Sequence, residues 1–291
     1  MRHLLAYLAL RLGLGILGRL PAAAVRRLGR WAGRVWHLLD RGRRQMARRH
    51  MARIRGPGGD PVAAAKSVME SYGRYFAEAL WVDASRVPEI LASTEVEGLD
   101  RLLGARDAGK GMILGVPHMG NWEVAAPVAV TRDIEIVAVA ESLPNQRITD
   151  WFTSMRAEFG IEVVLATGRS DVMRRLESAL RSNKAVALLS DRDIKGRGVE
   201  VEFFGEKTTL PPGPALLAIR TGAPLFPVAT YFTDKGYRAV IRPALDPPPD
   251  GSRSERIATL TQSLARALEE LIMEAPTQWH LVVPNWPSDR E

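Results

Sequence analysis

Gly111-Met112-Ile113-Leu114-Gly115-Val116-Pro117-His118-Met119-Gly120-Asn121-Trp122-Glu123 is the stretch from which the fold is read. A short apolar run reads as a buried strand that ends at Pro117. His118 follows, Met119 and Gly120 turn the chain, and a helix is expected from about Asn121. On one continuous helix, residues five apart sit about 140° apart, on different faces. Across a strand-to-helix turn, the first helical turn is able to bring the Glu123 carboxylate back toward the His118 imidazole. A carboxylate on one ring nitrogen fixes the tautomer and leaves the other nitrogen as a base. The C-terminal ends of strands are also where open α/β sheets hold ligands. Taken alone, a histidine such as His118 reads first as a capping or core histidine.

Outward from this stretch, short apolar runs alternate with helical ones. Strands are expected at 111–116, 134–140, 162–165, 185–189, 224–231 and 237–241. Helices are expected at 61–82, 121–130, 146–159, 170–182, 212–220 and 254–274. Such alternation predicts an α/β fold, with a central, mostly parallel sheet flanked by helices. Gly56-Pro57-Gly58-Gly59-Asp60 is a break, giving residues 1–56 as one segment and 57–291 as the α/β domain.

The chain has 291 residues, no cysteine and a formal net charge of +7. Cysteine nucleophiles, disulfides and thiolate metal sites are thereby excluded. The charge is unevenly placed. Residues 1–56 carry 14 Arg and one acid, Asp40, a net of +13, so the remainder carries −6. Within that segment Val25, Leu28, Trp31, Val35, Leu38 and Leu39 recur at helical spacing with arginines between them. A basic amphipathic helix of this kind either lies on an anionic membrane surface or packs on a core. Residues 4–18 are too short for a span, which needs about 20, and Arg11 interrupts them. Arg11 and Arg19 also argue against a cleaved signal peptide. The arginines alone would suit nucleic acid, but no zinc spacing, basic zipper or ribonucleoprotein motif accompanies them, and no nucleic-acid partner is expected.

Other motifs fail on context. Gly13-Leu14-Gly15-Ile16-Leu17-Gly18 matches the dinucleotide fingerprint in letters but has no strand before it. Gly104 to Lys110 resembles a phosphate loop, yet Gly111 stands where a Ser or Thr is needed. There is no Gly-x-Ser-x-Gly elbow, and the five histidines show no metal-ligand spacing.

His118 and Glu123 stand in a histidine–four residues–acid motif, and the run from Gly109 to Glu123 resembles the lipid A biosynthesis acyltransferase family. The resemblance continues through Leu189-Ser190-Asp191-Arg192-Asp193, Gly198 to Gly205 and Pro212-Gly213-Pro214-Ala215. Asp191-Arg192-Asp193, Gly198-Val199-Glu200-Val201 and the ending Gln278-Trp279-His280 with Asn285-Trp286 look most like its actinobacterial, phosphatidylinositol mannoside-acylating branch. The resemblance implies an acyl-CoA donor substrate, no further cofactor, no metal and a sugar hydroxyl of a membrane glycolipid as acceptor. It implies His118 as the base, Glu123 as the group that orients it, and Glu141, Arg156, Arg192 and Glu200 as substrate-binding positions. For Glu141 and Arg156 a structural ion pair is the competing reading, and Asp191, Arg192 and Asp193 read equally as a network that holds their loop. The expected location is the cytoplasmic face of the plasma membrane, peripheral or shallowly inserted. A lipid A precursor as acceptor, or a non-catalytic membrane- or nucleic-acid-binding protein, are the alternatives.

Overall fold

The computed structural model describes residues 2–56, 58–166, 171–194 and 196–290. Four helices come first: α1 (Arg2–Leu17), α2 (Ala22–Leu39), α3 (Arg41–Arg55) and α4 (Pro61–Trp81). There follow α5 (Val87–Ala92), β1 (Thr94–Glu97), α6 (Leu99–Asp107), β2 (Met112–Val116), α7 (Ala125–Val130) and β3 (Ile136–Ala140). Next come α8 (Gln146–Glu158), β4 (Ile161–Leu165), α9 (Val172–Arg181), β5 (Ala185–Leu189), β6 (Val199–Phe203) and β7 (Glu206–Leu210). The chain finishes with α10 (Gly213–Thr221), β8 (Leu225–Phe232), β9 (Tyr237–Ile241) and α11 (Arg253–Glu274).

Seven strands form one sheet in the order β1-β9-β8-β2-β5-β3-β4. Every pairing is parallel except β8 with β9, so β9 and β1 run against the others. Alternate side chains fill the two faces, as strand geometry demands. Ile113, Val137, Val164 and Val186 pack with α9, α10 and α11. Met112, Leu114, Ile136 and Ile161 pack with α6, α7 and α8. β2 and β5 lie at the centre, which puts the end of β2 in the middle of the sheet's C-terminal edge.

All six expected strands are present, within one or two residues at their ends. Three others escaped the sequence reading. β1 (Thr-Glu-Val-Glu) has a single apolar residue and completes the sheet edge. β6 and β7 form a separate antiparallel hairpin, closed by Phe204 (φ 50°) and Gly205 (φ 73°). Positive φ at both turn residues suits the right-handed twist of the strands. The expected helix at 121–130 is split: a 3₁₀ turn at Trp122–Val124 precedes α7. The start of the expected helix at Ser170 lies outside the described residues.

The N-terminal helices pack into the body. Val25, Gly29, Gly33 and His37 form the buried stripe of α2. A Cβ on Gly33 would lie 2.1 Å from the Met69 carbonyl oxygen, and one on Gly73 2.3 Å from that of Gly29. The backbones of α2 and α4 therefore touch, and no other residue fits. Ion pairs join the same helices, with Arg26–Glu78 at 3.2 Å and Arg34–Glu70 at 2.8 Å. The boundary at residue 56 is thus the turn between two packed helices, α3 and α4. Of the apolar positions read on α2, only Val25 turns into the core. Trp31, Leu38 and Leu39 are 60%, 71% and 79% exposed, and Leu28 is exposed as well. Leu4, Leu8, Leu12 and Ile16 make a second exposed apolar stripe along α1. No described helix is long and apolar enough to cross a membrane.

Candidate active site

The register of two neighbouring strands builds the site. β2 and β5 run parallel with Val116 opposite Leu189. His118 lies two residues beyond Val116 and Asp191 two beyond Leu189, so both emerge side by side past the sheet edge. The His118 backbone N–H donates to Asp191 Oδ2 at 2.9 Å, and His118 Nδ1 is 2.7 Å from Asp191 Oδ1. The Trp279 indole N–H donates to Asp191 Oδ2 at 2.7 Å. Asp191 is fully buried. Burial pushes its carboxyl up, but the His118 charge, the hydrogen bonds from His118 and Trp279, and the His118 backbone N–H outweigh it. Asp191 is therefore held below the usual carboxylate range.

An ionised Asp191 accepts the Nδ1 proton and leaves the Nε2 lone pair of His118 as the base. No described residue hydrogen-bonds Nε2, and the side chain keeps 25% of its exposure. Trp122 meets the imidazole edge-on at 5.8 Å. The His280 backbone N–H donates to the His118 carbonyl at 2.7 Å, which ties the chain's end to the catalytic turn. Behind this lies a neutral imidazole. His280 Nε2 is 2.9 Å from Ser71 Oγ. Burial pushes the His280 pKa down to about 3, helped by His118 and opposed by Asp191.

Glu123 does not orient His118, which corrects the role given to it from sequence. Its carboxylate takes a bidentate pair of bonds from Arg156 on α8, at 2.6 and 3.0 Å, with the Tyr75 hydroxyl at 3.5 Å. The 3₁₀ turn is the reason. Asn121 caps it by accepting the Glu123 backbone N–H at 3.2 Å, and the tight turn swings Glu123 into the core, where it is 2% exposed. Asn121 Nδ2 in turn donates to buried Glu78, which also takes Arg26 and Arg74. Arg156 is thus in the ion pair that competed with its substrate-binding reading. Burial would lower its pKa, but Glu123 and Tyr75 raise it above the ordinary value. The His-x4-Glu motif here supplies a candidate base and, separately, the anchor that fixes α8 to the turn after β2.

The other candidate residues are dispersed. Glu141 is exposed just past β3. Arg192 is half-buried beside Asp191. Glu200 is exposed on β6 and pairs with Lys207 across the hairpin at 2.9 Å. Asp193 accepts the backbone N–H groups of Gly196 and Gly198 and the Thr209 hydroxyl, so it holds the loop to the hairpin. The residues the sequence reading missed are Asp191 as the partner of His118, and Trp279. Pairing the two central strands would have found Asp191, since equal offsets from paired residues meet at the sheet edge.

Comparison with known proteins gives the family. The model of the family described as bacterial lipid A biosynthesis acyltransferase matches residues 1–288. The chain is 36% identical to the phosphatidylinositol mannoside acyltransferase of Mycobacterium tuberculosis over 284 residues, 91% of this chain and 86% of that protein. It is 35% identical to the protein of the same name from Mycolicibacterium smegmatis over 248 residues, 84% of this chain and 80% of that one. A lipid A biosynthesis acyltransferase of Haemophilus influenzae is 26% identical over 191 residues, 64% of this chain and 57% of that protein.

Proposed function

The chain belongs to the bacterial lipid A biosynthesis acyltransferase family, and from that premise we propose that it moves a fatty acyl chain from acyl-CoA to a hydroxyl of a phosphatidylinositol mannoside. Acyl transfer to a glycolipid follows from the family and from the relatives' names. The observation that carries the mechanism is His118, with Nδ1 committed to a buried carboxylate at 2.7 Å and Nε2 open at the sheet edge.

In the reaction His118 Nε2 takes the hydroxyl proton as the oxygen attacks the thioester carbonyl carbon. The C–O bond forms and the carbonyl oxygen takes the electron pair. When the tetrahedral intermediate collapses, the C–S bond breaks and the thiolate recovers the proton from Nε2. Asp191 stabilises the imidazolium that exists between the two transfers. General-base help of this kind is worth about 10²–10⁴ in rate. No acyl-enzyme is needed, in keeping with a chain that has no cysteine.

His118→Ala is expected to abolish transfer of palmitate from palmitoyl-CoA to a phosphatidylinositol mannoside while the melting temperature stays within a few degrees. Near-normal turnover in that variant would overturn the mechanism.

The reaction takes place at a bilayer surface, on its cytoplasmic face. The exposed leucines of α1 and the exposed Leu28 and Trp31 of α2 support the bilayer surface, since they present apolar side chains among arginines. In flotation, the protein is expected on anionic vesicles, weakened by salt, and not on neutral ones. Equal binding to both removes the electrostatic part of the reading.

A further inference from the structure

Trp279 and Trp286 are both fully buried. A buried indole needs an acceptor for its N–H. Trp286 finds one in the Phe203 backbone carbonyl at 2.9 Å, which joins it to the end of β6. Trp279 instead gives its N–H to the Asp191 carboxylate, at Oδ2 and 2.7 Å, across 88 residues of chain. The same oxygen takes the His118 backbone N–H at 2.9 Å, while Oδ1 faces His118 Nδ1 at 2.7 Å. One carboxylate oxygen is therefore held by two fixed donors, and the other is left for the imidazole. The torsion that turns a carboxylate plane is broad and roughly two-fold. Two donors on Oδ2 fix that plane, whereas a single donor leaves the group free to pivot about one bond.

The indole is itself locked in register with the turn after β2. Met119 and Trp279 form an antiparallel bridge. In it the Gly120 N–H donates to the Gln278 carbonyl at 3.0 Å, and the His280 N–H to the His118 carbonyl at 2.7 Å. The Gln278 side chain accepts the Phe232 N–H at 2.6 Å and donates to the Phe232 carbonyl at 3.1 Å, at the end of β8. Asn285 Nδ2 holds the Asp191 carbonyl at 3.1 Å. The rings of His50, Phe203, Phe204 and Trp286 pack around the indole at 5.6 to 6.2 Å. What this alignment controls is the tautomer of His118. A neutral imidazole with its proton on Nδ1 offers a lone pair at Nε2. With the proton on Nε2 it has no lone pair there and takes no hydroxyl proton.

We propose that Trp279 is a positioning residue: its indole N–H fixes the plane of the Asp191 carboxylate and so holds His118 in the tautomer whose Nε2 accepts the hydroxyl proton. The role rests on the acyl-transfer reading given above and adds to it a residue that acts on the base only through Asp191.

The test uses the full chain with Trp279→Phe, Asp191→Asn and the two combined. Phenylalanine keeps a buried ring and loses the N–H. With palmitoyl-CoA and a phosphatidylinositol mannoside in mixed micelles, Trp279→Phe is expected to lower kcat about tenfold, as the loss of one hydrogen bond to a charged group does. KM for both substrates should stay within about twofold, since neither loses a contact. In the Asp191→Asn background the same substitution should change kcat by less than about twofold, because the indole no longer has a carboxylate to act through. Equal losses in both backgrounds, or no loss in either, would make Trp279 a packing residue and overturn the proposal.

A smaller ring in this pocket also loosens packing, so a second measurement does not depend on activity. Nitrogen–proton NMR correlation of histidine-labelled protein at about pH 9, where an ordinary imidazole is neutral, reads the tautomer of His118, whose signals are assigned by their loss in His118→Ala. The wild type is expected to show the Nδ1–H form alone, and Trp279→Phe a mixture with the Nε2–H form. The same tautomer in both proteins would overturn the proposal. A wild type that acylates no glycolipid would instead sink the acyl-transfer reading, and the spectra would still decide the alignment.

Discussion

Among the described residues there are two histidine–aspartate pairs, and only one of them is a candidate for catalysis. His118 and Asp191 meet at the sheet edge through Nδ1 at 2.7 Å, with Nε2 open and a quarter of the side chain exposed. His50 on α3 and Asp289 near the C-terminus meet through Nε2 at 3.0 Å, with Nδ1 bonded to the Leu281 carbonyl at 2.8 Å. Neither of these side chains is more than 1% exposed. In both pairs the imidazole holds the carboxyl below its usual range against the effect of burial. The difference lies in the second nitrogen. A ring with both nitrogens committed is a staple, here joining α3 to the end of the chain. A ring with one nitrogen open beside a ligand site is a base. A histidine next to an acid, in sequence or in space, does not separate the two cases.

Substitutions should pull the pairs apart. Asp191→Asn gives the largest expected effect. The amide no longer stabilises an imidazolium and favours the wrong tautomer, so turnover should fall about 10²–10⁴-fold. Steady-state rates with palmitoyl-CoA check this, and a loss below threefold would mean that Asp191 only holds the loop. His50→Ala should do the reverse. It leaves Asp289 buried with Arg53 and two backbone N–H groups as its remaining partners. The expected cost is about 3 kcal/mol of stability, read from urea denaturation, with kcat of the folded fraction little changed.

Glu123→Gln sits between them. It leaves the Arg156 guanidinium half-buried beside a neutral amide, so a stability loss of about 1–3 kcal/mol is expected, with turnover down less than in Asp191→Asn. A kcat as low as that of Asp191→Asn would restore Glu123 as the partner of the base.

The last test is one of pH. Folded His280 has a pKa of about 3, against 6.5 for an ordinary histidine. As pH falls below 6.5 the unfolded chain takes a proton that the folded one refuses, so stability drops toward pH 3 by up to about 1.4 kcal/mol per unit. Asp191 and Asp289 are held below their ordinary value of 3.8, so their contribution is present above it and is lost only at lower pH. Unfolding midpoints between pH 6.5 and 4 should therefore fall in the wild type and less steeply in His280→Gln. Parallel slopes would assign the acid sensitivity to another group.

Much of this was legible in the chain. The six core strands were readable because they are short apolar runs bounded by turns, buried on both faces by helices. β1 was not, because an edge strand with one apolar residue carries no such signal. The N-terminal helices were readable as helices, but their inward face was not. Helical spacing pointed at leucine and tryptophan, whereas the contact with α4 is made through Gly29 and Gly33. Glycines bury little area and signal themselves only when another backbone lies against them.

The candidate base, His118, divides along the same line. Read along the chain, His118 stands between a strand and a helix, five residues before an acid, in a run that resembles acyltransferases. Which acid serves it depends on the assembled sheet. Glu123 is near in the chain, but the tight turn after Asn121 sends it into the core to meet Arg156. Asp191 is 73 residues away, and the parallel register of β2 with β5 carries it to 2.7 Å. Local sequence fixes which groups are present and how the backbone turns. Which charges meet is set by strand order, because a buried carboxylate is stable only where the assembled sheet brings donors to it.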